Sequence, residues 1–259
     1  MQQLKGMTME LKDKTILITG ASSGIGAAAA HLFAAEGANL VLGARRQGLL
    51  EEVQAQIARS AGRAVCLAGD VTETGYAQAL VDCAEQHFGG LDGAFNNVGM
   101  VGDLGPIPEM TLENWQSVLT TNLTSAFLAA RAQIPALLRS GGGSLVFTGT
   151  FVGFSNGGLP GMGAYAASKA GLIGLVQSLA SDHAAAGIRV NTILPGGTMT
   201  DMAGSDPTVH EFIAGLHPVK RMAAPREIAQ AALFLLSDRA SFVTGSPLAV
   251  DGGMATRLL

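Results

Sequence analysis

The sequence predicts an α/β fold in one domain: a doubly wound parallel sheet of seven strands with helices on both faces. A chain of 259 residues has a length at which α/β proteins routinely fold as one unit. Its content of 48% hydrophobic and 14% charged residues is typical of a sheet covered on both faces. Short β-branched or leucine-rich runs alternate with longer helical patterns, as in parallel strands that are joined by helical crossovers.

The apolar runs that we predict as strands are Thr15–Thr19, Leu40–Gly43, Ala64–Ala68, Leu91–Phe95, Ser144–Thr148, Arg189–Leu194 and Pro247–Val250. The predicted helices lie near 24–36, 47–61, 73–88, 111–139, 163–186 and 225–237. Thr111 and Pro225 are typical helix starts, whereas Gly62 and Gly187 are typical of helix ends. The alternation holds along the whole chain, so we predict one domain over 1–259, with 1–11 as an N-terminal extension.

Three irregular stretches, at 98–110, 151–163 and 196–220, are rich in glycine, proline and methionine. Each follows a predicted strand, and open α/β sheets bind ligands beyond the carboxyl ends of their strands. We therefore expect these stretches to wall the functional site, with 196–220 as a lid over the substrate.

Composition argues against several classes of function. The net charge of −4 offers no basic stripe for a nucleic acid. Cys66, Cys83 and the five histidines lack the spacing of metal ligands, so we expect no metal site and reduced thiols in a cytoplasmic protein. No apolar run reaches the roughly 18 residues of a membrane span, and 1–11 lacks a signal-like apolar segment, so we expect no membrane association.

The first predicted strand leads directly into Gly20-Ala-Ser-Ser-Gly24-Ile-Gly26 and then an alanine-rich helix. In this strand–turn–helix setting Gly20 allows a tight turn, Gly24 lets the backbone approach a pyrophosphate, and Gly26 allows close helix packing. The helix N-terminus supplies oriented N–H groups to the anion. The motif predicts a Rossmann-type dinucleotide site with contacts from Gly20, Ser22, Ser23, Gly24, Ile25 and Gly26.

The second predicted strand is followed by Arg45 and Arg46. An acidic residue near this position typically binds the ribose 2′-hydroxyl of NAD, whereas arginine accommodates the 2′-phosphate of NADP. Because there is no carboxylate here and two guanidinium groups are present, NADP(H) is the predicted cofactor and NAD(H) the second choice. The alternative is that both arginines are solvated residues that open the next helix.

Tyr165 and Lys169 lie four residues apart in Tyr165-Ala-Ala-Ser-Lys169, which places both on one face of a helix. A free tyrosine titrates near about 10. A nearby positive charge favours phenolate, so we expect Lys169 to lower the pKa of Tyr165 and fit it for proton transfer. Alone this spacing is weak, because helices often carry such pairs by chance.

The pair is one of several motifs that together resemble the short-chain dehydrogenase/reductase family, over nearly the whole chain. In chain order they are the glycine turn, Asp70-Val71, Asn96-Asn97-Val98-Gly99, Asn122, Tyr165 with Lys169, Pro195-Gly196, Arg221-Met222, Pro225 and Val250-Asp251-Gly252-Gly253. The family's usual Asn-Asn-Ala-Gly reads Asn-Asn-Val-Gly here. The resemblance implies an NADP(H)-dependent oxidoreductase that interconverts a ketone and a secondary alcohol by hydride transfer, with Tyr165 as acid/base.

The resemblance also implies roles for individual residues. Asn122 corresponds to the asparagine that holds a water connecting Lys169 to solvent, and Lys169 also binds the nicotinamide ribose. Asp70 and Val71 correspond to the adenine contacts, and Asn96 to the residue that braces the turn beside the adenosine ribose. The segment that grips the nicotinamide carboxamide or a nearby phosphate corresponds to Pro195, Gly196, Thr198 and Thr200.

The third catalytic position departs from the family, which usually has a serine after the fifth strand. At the family's typical spacing from the tyrosine this chain has Val152. Aligning on the strand end instead selects Thr150 and leaves a longer loop before Tyr165, and loops tolerate insertions. Threonine still donates a hydrogen bond to a substrate oxygen. We therefore predict Thr150 as the catalytic hydroxyl, with Ser155 as the alternative.

The residues expected to wall the substrate site are apolar: Val101, Leu104, Phe151, Phe154, Leu159, Met199, Met202, Phe212 and Leu216. They favour an uncharged or hydrophobic ketone. The chain is similar to 3-oxoacyl-carrier-protein reductases, but its helix over 178–183 lacks the arginine with which those enzymes commonly meet the acidic carrier. That activity stays an alternative, as does a catalytically silent nucleotide-sensing protein. The Asp-Gly-Gly ending is similar to that of homotetrameric members, so the resemblance implies a homotetramer that acts on a small-molecule carbonyl or alcohol.

Overall fold

The computed structural model describes residues 9–155 and 158–256. The strands are β1 (Thr15–Thr19), β2 (Asn39–Ala44), β3 (Arg63–Ala68), β4 (Gly93–Asn96), β5 (Gly143–Thr148), β6 (Ile188–Pro195) and β7 (Pro247–Val250). The α-helices are α1 (Gly24–Ala35), α2 (Gln47–Arg59), α3 (Tyr76–Phe88), α4 (Leu112–Leu119), α5 (Ser125–Arg139), α6 (Gly163–His183), α7 (Pro207–Leu216) and α8 (Pro225–Leu236).

The strands form one sheet in the order β3-β2-β1-β4-β5-β6-β7, and every neighbouring pair is parallel. The predicted doubly wound, seven-stranded Rossmann fold is confirmed. The strand order reverses between β1 and β4, where Thr19 pairs with Gly43 on one side and with Asn96 on the other. A crevice therefore opens beyond the carboxyl ends of β1 and β4, and it is here that such sheets bind ligands.

The core lies on both faces of the sheet because alternate residues of each strand point to opposite sides. Ile16 and Ile18 of β1 pack with α1, α2 and α8, whereas Leu17 packs on the other face with α3, α5 and α6. All three side chains are fully buried. Each such side chain stabilises the fold by about 1.5–3 kcal/mol through its removal from water.

The structure corrects the predicted elements in several places; the predicted helix near 73–88, for example, begins at Tyr76. β4 begins at Gly93 rather than Leu91. The helix predicted across 111–139 is interrupted by a π-helical turn at Thr120–Thr124, which joins α4 to α5. The stretch 196–220 contains α7, whose first turn is capped by the Asp206 carboxylate accepting from Thr208 N at 2.8 Å. Asp followed by Pro207 at the first helical position was the available sequence signal.

Part of the predicted extension 1–11 lies outside the described residues. Leu11 is described and fully buried, and its N–H donates to the Glu36 carbonyl at 3.0 Å. Packing of the domain thus already includes Leu11, four residues ahead of β1. Across 9–155 and 158–256, no helix has both the length and the apolar character needed to cross a membrane.

Candidate active site

A cleft of about 700 Å³ lies beyond the carboxyl ends of the strands and extends from the glycine turn to α7. That volume is typical of a site for a small ligand or cofactor. The cleft brings together most of the residues predicted for the site: Gly20, Ser22, Ser23, Gly24, Ile25, Arg45, Arg46, Asp70, Val71, Thr150, Tyr165, Lys169, Pro195, Gly196, Thr198 and Thr200.

The glycine turn has the backbone shape that its spacing predicts. Gly20 and Gly24 adopt φ values of 68° and 54°, in the left-handed region that favours glycine. A Cβ on Gly26 would overlap the backbone of Gly20, so only glycine lets α1 start this close to the turn. The N-terminus of α1 consequently faces the cleft, where its N–H groups suit a phosphate.

Arg45 and Arg46 take different places at the edge of this turn. The Arg46 guanidinium donates to Ser23 Oγ at 2.8 Å and to Ser22 Oγ at 3.3 Å. Arg45 acts on Asp70, whose pKa is lowered first by a hydrogen bond from the Thr72 backbone and further by the positive charge of Arg45. β2 ends at Ala44 and no carboxylate follows directly, so cationic groups border this end of the cleft.

Tyr165 and Lys169 lie in the first two turns of α6, where both line the cleft. Lys169 is only 2% exposed, and its Nζ donates to the Thr148 carbonyl at 2.7 Å. The same Nζ lies 6.0 Å from the centre of the Tyr165 ring. The carbonyl at the end of β5 therefore holds the Lys169 ammonium near the Tyr165 ring.

Burial dominates the electrostatics of this pair. It lowers the pKa of Lys169 to about 8 because a buried ammonium loses its water. It also raises the pKa of Tyr165, although a hydrogen bond with the Thr150 side chain acts in the opposite direction. The expectation that Lys169 would bring the pKa of Tyr165 below its ordinary value is therefore wrong for this site, since loss of water is the largest cause and outweighs the hydrogen bond with Thr150. Tyr165 keeps its proton at neutral pH.

Thr150 follows β5 and is buried at the cleft, as the alignment on the strand end predicts. Its hydroxyl accepts from Val152 N at 3.4 Å. Ser155, the alternative, is exposed, donates to the Phe151 carbonyl at 3.3 Å and lies outside the cleft lining. Gly153 lets this loop pack on α6, because a Cβ there would come within 2.6 Å of the Lys169 and Ala170 backbone.

Asn122 lies in the π-helical turn and does not line the cleft. Its side chain accepts from Met100 N at 2.8 Å and donates to Met100 O at 2.8 Å and to Ser168 Oγ at 3.0 Å. These bonds tie the loop after β4 to α6, next to Lys169. π-Helical turns that interrupt an α-helix occur frequently at functional sites.

Asn96 also lies outside the cleft. Its side chain is buried and forms two reciprocal hydrogen bonds with the Gln133 amide, at 2.9 and 3.0 Å. The next residue, Asn97, lines the cleft, accepts from Thr148 Oγ1 at 2.9 Å and donates its N–H to Thr19 Oγ1 at 3.1 Å. Neighbouring residues of extended chain face opposite sides, so the alternation of β4, continued from its last residue Asn96 into Asn97, was the signal that separates the two asparagines.

Side chains rather than backbone line the other end of the cleft. Of the predicted substrate walls, Val101, Phe151, Leu159, Met202 and Leu216 line it, while the exposed Leu104, Phe154, Met199 and Phe212 do not. Sequence reasoning missed Ile213 and the four further methionines in the lining, Met100, Met162, Met222 and Met254. Within the described part of the chain, no cluster of three or more His, Cys, Asp or Glu residues is arranged to hold a metal ion.

Comparisons with known proteins agree with this architecture. The family described as "Enoyl-(Acyl carrier protein) reductase" matches residues 20–255. Among curated relatives, a cyclohexanol dehydrogenase of Acinetobacter sp. (strain SE19) is 36% identical over 98% of this chain and 99% of its own. An A-factor type gamma-butyrolactone 1'-reductase (1S-forming) of Streptomyces virginiae is 42% identical over 94% of this chain and 96% of its own.

Among solved structures, levodione reductase superposes with a TM-score of 0.91 at 32% identity, over 96% of this chain and 100% of that one. The fold, the arrangement of the cleft and the relatives therefore all indicate the same family. The chain belongs to the short-chain dehydrogenase/reductase family, and it is an oxidoreductase that acts on alcohol and carbonyl groups with a nicotinamide cofactor.

Proposed function

We propose that the protein is an NADP(H)-dependent reductase of uncharged, hydrophobic ketones that uses Tyr165 as its proton donor, and oxidises the corresponding secondary alcohols in reverse. The observation that carries the proposal is the group of Tyr165 with the buried Thr150 and Lys169, all three of which line the cleft. It lies between a glycine turn suited to a dinucleotide and an apolar chamber suited to a substrate.

The cofactor is proposed to lie along the glycine turn, with its pyrophosphate at the N-terminus of α1. Arg45 and Arg46 would bind the 2′-phosphate, because guanidinium groups form charge-assisted hydrogen bonds with phosphate oxygens. Asp70 and Val71 would contact the adenine, and Pro195, Gly196, Thr198 and Thr200 would enclose the nicotinamide end. A bound nicotinamide supplies the hydride for reduction.

The protein's own part in the reaction is to hold the carbonyl oxygen and deliver a proton to it. Tyr165 suits this task because its raised pKa keeps the hydroxyl protonated at neutral pH. Thr150 would donate a second hydrogen bond to the same oxygen. The Lys169 ammonium would stabilise the phenolate that forms when Tyr165 gives up its proton.

The substrate class follows from the chamber between Val101, Leu159 and Met202. Five of the chain's ten methionines line the cleft, and their unbranched, polarisable side chains adapt to ligands of varied shape. Of the charged lining residues, Arg45, Arg46 and Asp70 follow β2 and β3, at the cofactor end, whereas Asp201 precedes Met202 and is an anion. Apart from Lys169, the described lining residues give a substrate carboxylate no cation in this chamber.

The names of two relatives, a cyclohexanol dehydrogenase and a gamma-butyrolactone reductase, indicate ring-containing substrates for those proteins. The test is a matched pair of ring ketones, cyclohexanone and 4-oxocyclohexanecarboxylate, each reduced with NADPH. We expect kcat/KM to be at least about tenfold higher for cyclohexanone, because the carboxylate would lose its water without gaining a partner.

Met202→Lys is the complementary variant, since Met202 lines the chamber and is also partly in solvent. The added cation should narrow the difference between the two ketones. Equal reduction of both by the wild-type protein would refute the proposed substrate class. Binding of NADPH without turnover of any ketone or alcohol in a broad panel, acetoacetyl thioesters included, would instead favour a nucleotide-sensing protein. Light scattering tests the proposed homotetramer.

A further inference from the structure

His217 is a buried histidine that the proposed reaction does not use. It follows α7, is 2% exposed and lies between this lid helix and the backbone after β6. Among the described residues, its ring forms hydrogen bonds with backbone groups of Gly197 and Ile213 rather than with Tyr165 or Lys169, and it contacts the loop that carries Gly196, Thr198 and Thr200.

The two ring nitrogens of His217 face different backbone groups: Nδ1 faces an acceptor and Nε2 faces a donor. Nδ1 lies 2.8 Å from the Ile213 carbonyl oxygen, an acceptor, so Nδ1 carries the proton. Nε2 accepts the N–H of Gly197 at 3.0 Å. These two contacts together require the neutral Nδ1–H tautomer, because a protonated Nε2 has no lone pair for Gly197.

The Gly196–Gly197 peptide is thereby held at both of its polar groups. Its N–H donates to His217, and its carbonyl oxygen accepts from Thr198 Oγ1 at 3.1 Å. Gly196, Gly197 and Thr198 all line the cleft. Turning this peptide would displace the hydroxyl and the backbone that border the nicotinamide end.

Two consecutive glycines make room for the imidazole. A Cβ on Gly196 would come within 2.7 Å of Nε2. A Cβ on Gly197 would come within 2.9 Å of the ring's Cε1 and would overlap the Ile213 side chain. The Gly196-Gly197 sequence and His217 are therefore complementary in shape as well as in hydrogen bonding.

We propose that His217 is a positioning residue for the nicotinamide cofactor, which orders the 196–200 loop through the Gly197 amide. Through its own position after α7 it also couples the lid helix to that loop. Loss of the Nε2 acceptor would release the Gly197 peptide and weaken cofactor binding.

The charged residues on the elements that pack around the ring have other partners or lie farther along their elements. Asp251, after β7, accepts from Gly253 N and Ala255 N at 2.9 and 2.7 Å. Lys220, in the connection to α8, donates to the Gly215 carbonyl at 3.1 Å. Arg221 pairs with Glu227, and on α7 itself the titratable side chains are His210 and Glu211.

The test compares His217→Gln with His217→Met in the full chain. The Gln side-chain oxygen replaces Nε2 as an acceptor, whereas Met has a similar length but only a weak acceptor. Dissociation constants of NADPH and NADH are measured by fluorescence at pH 7.5. We expect His217→Met to weaken binding about tenfold at pH 7.5, close to the loss of one hydrogen bond, and His217→Gln to stay within about twofold of wild type.

Equal weakening of cofactor binding by His217→Gln and His217→Met, or unchanged binding by His217→Met, would each overturn the proposal.

A second measurement does not depend on the variants binding cofactor. In ¹⁵N-histidine-labelled wild-type protein at pH 7.5, the resonance that disappears in His217→Gln should show a protonated Nδ1 and an unprotonated Nε2. The opposite tautomer, or a doubly protonated ring, would overturn the proposal even if both variants were unstable.

Discussion

At the cofactor end of the cleft the backbone makes the shape, whereas at the substrate end side chains make it. Gly20, Gly24 and Gly26 leave no space for a Cβ or adopt φ values that side chains rarely allow. Met202 and Leu159, at the other end, are exposed, and they lie in a short 3-10 helix and a loop, respectively. One end is thus preorganised by covalent geometry, and the other can repack around different ligands.

This difference predicts how the two ends respond to substitution. At the cofactor end a single methyl group displaces backbone, which has nowhere to move in a close-packed interior. At the substrate end a change of side chain alters contacts while the fold stays intact. Between the two ends lie Thr150, Tyr165 and Lys169, and the effect of substituting them depends on both burial and hydrogen bonding.

The largest effect is expected for Gly26→Ala, which tests the backbone end. The new Cβ would overlap the Gly20 backbone, and we expect a loss of about 3 kcal/mol in stability together with loss of cofactor binding. Gly48→Ala is the matched control, because a Cβ there meets nothing within 4 Å and Gly48 lies in α2. Chemical denaturation and NADPH titration measure both. If Gly26→Ala kept wild-type stability and NADPH binding, the view that backbone shapes the cofactor end would be wrong.

Lys169 makes the stability of the protein depend on pH. Its folded pKa of about 8 lies below the ordinary 10.5, so between these values the unfolded chain binds a proton that the folded chain does not. Stability attributable to Lys169 should therefore rise with pH over this window, by about 3 kcal/mol. The measurement is the free energy of unfolding at pH 7.5, 9 and 10.5 for wild type and Lys169→Met. A constant difference between the two proteins would show that burial does not depress this pKa.

Thr150→Val tests the hydroxyl at the junction of the two ends. Valine keeps the branched shape but removes the donor, so kcat/KM for cyclohexanone should fall about 100-fold, as for loss of one hydrogen-bond donor to a developing oxyanion. Ser155→Ala should change kcat/KM less than about twofold, because Ser155 is exposed and outside the cleft. The reverse ranking would move the catalytic hydroxyl to Ser155.

Arg46→Ala should have the smallest effect, since it changes a side chain at the end where backbone makes the shape. We expect the dissociation constant of NADPH to rise about tenfold and that of NADH less than twofold, because only NADPH has the 2′-phosphate. Arg226→Ala, in α8, controls for general loss of positive charge. If Arg46→Ala raised the dissociation constants of NADPH and NADH equally, Arg46 would not be the residue that binds the 2′-phosphate.

The parts of this molecule that could be predicted from sequence are those set by local spacing. The strands, the glycine turn and the Tyr165–Lys169 pair depend on residues close together in the chain, and the structure has them within two residues of where the spacing puts them. Thr150 followed from the end of β5, again a local feature. The family resemblance rests on the same positions.

The parts that could not be predicted depend on contacts between distant segments. The break in the helix over 111–139 places Asn122 against Met100 and Ser168, which no local pattern reveals. The direction of the Tyr165 pKa depends on burial, and burial is a property of the assembled cleft. The role of His217 likewise needs the position of Gly197, twenty residues earlier.

The most direct test of the account is the rate of cyclohexanone reduction by Tyr165→Phe with NADPH, measured beside its NADPH dissociation constant. We predict that kcat falls about 10³-fold, within the range for loss of a general acid, while the dissociation constant stays within about twofold. Tyr76→Phe is the control, because the Tyr76 hydroxyl donates to the Leu67 carbonyl, away from the cleft. Retention of more than a tenth of the wild-type kcat by Tyr165→Phe would contradict the assignment of Tyr165 as the proton donor.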